Sequence, residues 1–152
     1  MNSFPKDKES RLLALLRQEL ELFQRIREIT GKQTEMLADE DIEAFDESLD
    51  SRQALIEEIN GLHQESDILM QSYLSFSGSA GGQKIGAIEE VAGQLRGVIE
   101  ECTELDSKNM ALSKEKAEEF VKQIGKLSQG RKGLGAYIHN VSQNSELFDK
   151  KM

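Results

Sequence analysis

The sequence has very few of the residues that interrupt or cross-link long helices. Among 152 residues there is one proline, Pro5, one cysteine, Cys102, and no tryptophan. A single cysteine excludes an internal disulfide framework and fits a reducing compartment. Because the only proline lies near the N-terminus, the rest of the chain can form helices without a proline break.

Long apolar runs are also missing. Residues 1–9 carry charges but no apolar stretch of the kind found in a signal peptide. Nowhere does the sequence approach the run of about 20 apolar residues that a membrane-spanning helix needs. We therefore predict a soluble, cytoplasmic protein without membrane insertion.

Residue types that carry catalysis or bind metal are scarce. His63 and His139 are the only histidines, and Cys102 is the only thiol, so no zinc site is expected. Residues 130–135 are rich in glycine but lack the Gly-Lys-Ser/Thr ending of a phosphate loop. Carboxylates spread over helix faces do not form an acid–base pair in a pocket. We predict that the protein is not an enzyme and uses no cofactor.

The charge is abundant and unevenly distributed. Residues 1–76 hold 17 acidic and 8 basic side chains, giving −9, whereas residues 77–152 hold 11 of each. Within residues 120–152, six basic and two acidic side chains give +4. An acidic body argues against a nucleic-acid partner. The basic end favours an acidic partner, although ordinary scatter on solvated helix faces is the alternative interpretation.

What the sequence does contain is helical periodicity. In residues 85–127 the apolar side chains recur at steps of three, four and seven, which place them on one face of a helix. At 1.5 Å per residue, such a helix would be roughly 65 Å long, which is too long for a compact globule of this size. The first half of the chain offers two more striped segments, so the three are expected to pack together.

These patterns predict an all-α fold. We expect one domain over residues 1–152, an elongated antiparallel bundle of three long helices with a short amphipathic C-terminal helix. An Asp ahead of a new apolar stripe is an N-cap signal, so a tight turn or a kink is expected near residues 38–40, with a continuous helix as the alternative. The predicted segments are helices at 7–37, 41–76 and 83–128, a flexible linker at 77–82, a glycine-rich break at 129–135 and an amphipathic tail at 134–149.

The amphipathic tail is the strongest candidate for binding a partner. Leu134, Tyr137, Ile138 and Val141 have helical spacing, but an isolated helix this short is marginal in water. It therefore docks on the bundle, binds a partner, or alternates between the two. Asn109 stands at a heptad position where an apolar residue is expected, so it either fixes helix register or contacts a partner. The candidate partner-binding residues are Asn109, Leu112, Phe120, Leu134, Tyr137, Ile138, Val141 and Phe148.

Five stretches of the sequence follow one another in the order found in a known protein family. They are LLALLRQEL at residues 12–20, LADEDIEAF at 37–45, RQALIEEI at 52–59, NMAL at 109–112, and a glycine-bearing tail with Tyr137. In this order they resemble the flagellar export chaperones of the FlgN type. The resemblance covers nearly the whole chain.

The resemblance implies a cytoplasmic, all-helical chaperone of the flagellar type III secretion system. Such proteins bind the C-terminal helical regions of hook–filament junction proteins, prevent premature association, and deliver them to the export gate without an ATPase of their own. In the family the C-terminal region engages the client, and a tail tyrosine is linked to gate docking. Tyr137 is the matching position here, with Leu134, Ile138 and Val141 beside it.

Two other functions fit the same helical stripes. One is a homo-oligomeric coiled-coil scaffold, in which the stripes pair with those of a second copy. The other is a regulatory module that sequesters a helical partner in the same groove. A wide apolar face on the first helix favours the chaperone over a narrow two-stranded seam.

Overall fold

A computed structural model describes residues 3–124, and this part of the chain folds into three α-helices without a strand. They are α1 (Lys6–Ala38), α2 (Ile42–Ser77) and α3 (Gly86–Ile124). The all-α prediction is confirmed for these residues. The glycine-rich break at 129–135 and the C-terminal helix at 134–149 lie outside the described residues. None of the three described helices is both long enough and apolar enough to cross a lipid bilayer.

The turn between α1 and α2 is formed by residues 39–41. The N–H of Asp41 donates to the carbonyl of Met36 at 2.9 Å, and Glu40 takes a positive φ of 57°. This is the geometry that closes a helix when the residue after its last turn is left-handed. The Asp41 carboxylate then accepts the N–H of Ala44 at 3.1 Å, so it caps the first turn of α2.

The connection between α2 and α3 is longer than the predicted linker at 77–82, because α3 begins at Gly86 rather than at residue 83. Tyr73 holds this connection. Its hydroxyl accepts the N–H of Ile85 at 2.8 Å and donates to Glu89 at 2.8 Å. Gly82 passes so close to the backbone of Phe76 that a Cβ there would stand 1.9 Å from the carbonyl oxygen. A side chain at position 82 would therefore force the connection to move.

The contacts divide the chain into two compact units. The first takes its described residues from 3–25 and 55–99. Within it α1 and α2 run antiparallel, since Lys8 donates to Ser72 at 3.4 Å and Glu19, further along α1, accepts from Ser66 at 3.0 Å. An apolar cluster fills its interior, and the rings of Phe4 and Tyr73 form a T-shaped pair. The buried members of this cluster are Phe4, Leu12, Leu16, Tyr73, Ile88 and Val91.

The second unit takes its described residues from 26–54 and 100–124. Here α3 runs parallel to α1, because Arg27 contacts Glu101 at 3.0 Å and Thr34 contacts Asn109 at 2.5 Å. The α1–α2 turn lies at one end, beside a small apolar cluster. Its buried residues are Leu37, Phe45 and Leu49, with Met36, Met110 and Leu112 packed around them.

A polar network occupies another part of the second unit's interior. The Arg52 side chain is 2% exposed and donates to both oxygens of Asp106, at 2.7 and 3.0 Å. It also donates to Gln33 at 3.3 Å, and Gln33 donates to Ser48 at 3.0 Å. The network therefore joins α1, α2 and α3. A buried ion pair needs this two-pronged geometry, because removing two charges from water is otherwise costly.

We expect Arg52→Met to lower the free energy of unfolding by about 3–5 kcal/mol, because it leaves Asp106 buried without its counter-charge. Urea unfolding followed by circular dichroism measures this change. Arg11→Met is the matched control, since Arg11 makes the same two-pronged contact with Glu65 at an exposed position.

Adding Asp106→Leu to Arg52→Met removes the buried charge and should restore most of the lost stability. If Arg52→Met costs no more than Arg11→Met, the buried pair does not hold the second unit together.

Candidate partner-binding surface

The candidate residues in the middle of α3 face the interior of the second unit. Asn109 is 3% exposed, its amide donates to the carbonyl of Thr30 at 2.9 Å, and it accepts the hydroxyl of Thr34. Leu112 is half-buried against the cluster of Leu37 and Phe45. Both side chains are thus engaged within the fold, which matches the register-fixing alternative for Asn109.

Phe120 differs from Asn109 and Leu112, because its side chain is exposed to solvent. It is 43% exposed, and its neighbour Val121 is 46% exposed. Every side chain from Glu118 to Gln123 is exposed, and we call residues 118–123 the exposed end of α3. A helix end with two large apolar side chains in water is a surface that association would cover.

A third exposed apolar residue belongs to the same end of the second unit. Ile42, the first residue of α2, is 52% exposed. Lys116, one helical turn before Phe120, contacts Glu40 at 3.5 Å, and Glu40 stands two residues before Ile42. The contact shows that this part of α3 lies beside the α1–α2 turn. The exposed end of α3 therefore begins two residues after the contact with the α1–α2 turn, and Ile42 lies just after that turn.

Acidic side chains border this end. Asp39 and Asp41 flank Glu40 in the turn, and the outer face of α2 continues with exposed carboxylates. These are Glu43, Asp46, Glu47 and Asp50. An apolar surface beside carboxylates suits a partner that combines apolar anchors with Lys or Arg.

The other candidates, Leu134, Tyr137, Ile138, Val141 and Phe148, lie outside the described residues. They follow the exposed end of α3 directly along the chain. Phe120 is thus the one candidate that is both described and exposed. Sequence position alone does not reveal this, because Phe120 and the buried stripe residues share the same residue class.

The first unit has a polar surface groove. An open groove of about 410 Å³ between α1 and α2 is lined by four polar side chains and two leucines, which are Gln18, Glu21, Arg25, Glu58, Leu22 and Leu62. His63 stands 3.3 Å from the buried carboxylate of Glu19. Within residues 3–124, no three His, Cys, Asp or Glu side chains are grouped to hold a metal ion.

Cys102 is a core residue of the second unit. It is fully buried, and burial raises the pKa of its thiol to about 12. The thiolate is the reactive form of cysteine, and it is disfavoured here at neutral pH. Cys102 therefore packs in the core of the second unit rather than serving as a nucleophile.

This pKa predicts a stability that falls in alkaline solution. The unfolded thiol loses its proton near 9.0 and the folded thiol near 12, so folding loses free energy as the pH rises between them. Between pH 7.5 and 10.5 the native chain should lose more stability than Cys102→Ala, as measured by urea unfolding. Parallel losses in the two proteins would show that the thiol does not titrate differently on folding.

Sequence reasoning missed the Arg52–Asp106 pair. A signal was present, because Arg52 is the one base among eleven acids in residues 39–76. It also falls in helical phase with Leu49 and Ile56, which are both buried. A lone base on an apolar stripe indicates a buried partner of opposite charge.

A comparison with protein families matches residues 1–144 to the family described as FlgN protein. A search of curated proteins found no match. A search of solved structures likewise found none. The matched range contains every candidate partner-binding residue except Phe148. Because the match covers nearly all of the 152 residues, the chain belongs to the FlgN family of flagellar export chaperones.

Proposed function

We propose that this protein binds the C-terminal helical regions of hook–filament junction proteins in the cytoplasm, prevents their premature association, and delivers them to the flagellar export gate. Chaperones of the FlgN family bind flagellar hook-associated proteins. The observation that supports the role is the exposed end of α3, where Phe120 and Val121 stand in water and lead into the segment with Leu134 and Tyr137.

The physical task of such a chaperone is to cover an apolar helix face. A helical client segment carries an apolar stripe that would otherwise pair with other subunits. Covering one large apolar side chain of the chaperone contributes about 1.5–3 kcal/mol before the losses of association are subtracted. A few anchors such as Phe120 and Tyr137 can therefore dominate the affinity, and no cofactor or hydrolysis is needed.

Within this proposal the candidate residues have two roles. Phe120, Leu134, Tyr137, Ile138, Val141 and Phe148 touch the client, and Tyr137 also serves in docking at the gate. Asn109 and Leu112 act from inside, because they hold the part of α3 that precedes the exposed end in register. The gate component is a further partner.

The first test measures client binding. The full chain is mixed with the C-terminal helical segment of a hook–filament junction protein from the same genome, and the complex is followed by light scattering and calorimetry. We expect Phe120→Ala to weaken binding by about tenfold or more, which corresponds to about 1.4 kcal/mol. The double variant Leu134→Ala, Tyr137→Ala should weaken it further.

Ile68→Ala is the control for this test, since Ile68 is also a large exposed apolar residue, at 69%, but lies in the first unit. Equal losses from Phe120→Ala and Ile68→Ala would remove the exposed end of α3 from the site. No complex, together with self-association that grows with concentration, would support the coiled-coil scaffold. Binding to an unrelated helical regulator instead would support the sequestering module.

A second test separates the two roles of Asn109. Asn109→Ala removes hydrogen bonds to Thr30 and Thr34, so the free energy of unfolding should fall by about 1–3 kcal/mol. Client affinity, measured well below the unfolding transition, should stay unchanged. If affinity falls while the stability is kept, Asn109 contacts the client directly.

A further inference from the structure

The exposed end of α3 is an unusual ending for a helix that is otherwise packed on one face. Ser113 and Ala117 are buried at 1% and 6% exposure, and Lys116 contacts Glu40. Beyond them, all side chains from Glu118 to Gln123 are exposed, although α3 continues to Ile124. From Lys116 to Ile124 the helix extends about 12 Å at 1.5 Å per residue.

This end lacks the packing that normally stabilises a helix. Short helical segments are marginal in water, and most of their stability in proteins comes from packing an apolar face. Within residues 3–124 the apolar residues Phe120 and Val121 stay exposed, as does Ile42 beside the α1–α2 turn. A covering segment must therefore be apolar, and the neighbouring Asp39, Asp41 and Glu43 favour one that is also basic.

The remaining residues of this same chain meet both conditions. Residues 125–152 contain five Lys or Arg and two acidic side chains, giving +3. They also contain the stripe of Leu134, Tyr137, Ile138 and Val141. The segment starts one residue after the end of α3, so it is tethered beside the surface that it would cover.

The connecting residues are long enough for a reversal of direction. Nine residues, 125–133, separate α3 from Leu134, and they span up to about 30 Å when extended. This exceeds the roughly 12 Å between Ile124 and Lys116 along the helix. Gly125, Gly130 and Gly133 stand in this stretch, and glycine adopts the backbone conformations that reversals require.

We propose that residues 134–148 dock back on the exposed end of α3 in the client-free protein, with Tyr137 and Ile138 covering Phe120 and Val121. Residues 134–148 contain no Lys or Arg, so the positive charge is carried by the residues that flank them. Docking would bring these flanking residues toward the carboxylates of the α1–α2 turn and of early α2; they are Lys126, Arg131, Lys132, Lys150 and Lys151. The docking is intramolecular, so the effective concentration of the segment is on the order of millimolar.

The consequence for the chaperone rests on the proposed function. A client helix must displace the docked segment, because both use the same apolar side chains. Docking therefore lowers the apparent affinity for every helix that uses this surface. Only clients with a high intrinsic affinity then bind. It also hides Phe120 and Val121 from a second copy of the chain.

Hydrogen exchange of the full chain, without client, tests the docking. We expect Ile138→Asp to speed amide exchange at residues 118–124 by about tenfold or more, because a charge in the apolar stripe undocks the segment. Gln143→Asp is the matched control, since it adds the same charge on the opposite side of the predicted helix and should leave exchange unchanged. Amides of residues 102–109 in the same protein report that the fold is intact.

The reciprocal variant makes the test independent of the tail substitution. Phe120→Asp should speed exchange at residues 134–141, with Lys122→Asp, also at the exposed end, as its control. Exchange at 118–124 that is the same in the native chain and in Ile138→Asp would overturn the proposal. Protection that rises between about 1 µM and about 100 µM protein would assign the surface to a second copy and also overturn it.

The outcome is separable from the proposed function. Client binding with exchange rates unaffected by Ile138→Asp would leave the chaperone role intact and remove the docking. Docking without any client complex would support the docking and contradict the proposed chaperone role.

Discussion

The buried contact between Arg52 and Asp106 is the constraint on which the second unit depends. Its two hydrogen bonds, at 2.7 and 3.0 Å, join α2 to α3, and Gln33 adds α1 through its own contact with Arg52. A charged group in this position accepts only one arrangement of its neighbours, whereas an apolar layer tolerates sliding. The pair therefore fixes which residues of the three helices stand at the same level. Asn109 continues this polar layer along α3 by holding Thr30 and Thr34 of α1.

In the first unit, the alignment of the helices depends on different contacts. Its interior is an apolar cluster around Leu12, Leu16 and Ile88, and the Tyr73 hydroxyl adds directional contacts with Ile85 and Glu89. Burial raises the pKa of that hydroxyl above its ordinary value, so it stays protonated and continues to donate to Glu89 at physiological pH. One side chain thereby sets where the α2–α3 connection ends and α3 begins.

The polar layer also matters for function, because it determines what is left for a partner. The side chains that form this layer, such as Asn109, make their hydrogen bonds inside the fold. What remains at the end of α3 is a small apolar surface with acidic neighbours, centred on Phe120 and Val121. Under the proposed function, the protein acts by covering a client helix with this surface and then releasing it. In that proposal, specificity depends on competition among helices for a few anchor residues.

The sequence by itself determined the fold class, the three helices and the turn after α1. Apolar spacing encodes which face of a helix is buried, and Asp41 encodes the cap of α2, because both are local properties of the chain. It also yielded the family, through the order of its motifs. The sequence did not predict where α3 starts, since that position is set by the hydrogen bond between Tyr73 and Ile85 across the connection. The inward direction of Asn109 and the outward direction of Phe120 were decided only by tertiary structure, because a polar residue on a stripe is buried only where other helices bring partners to it.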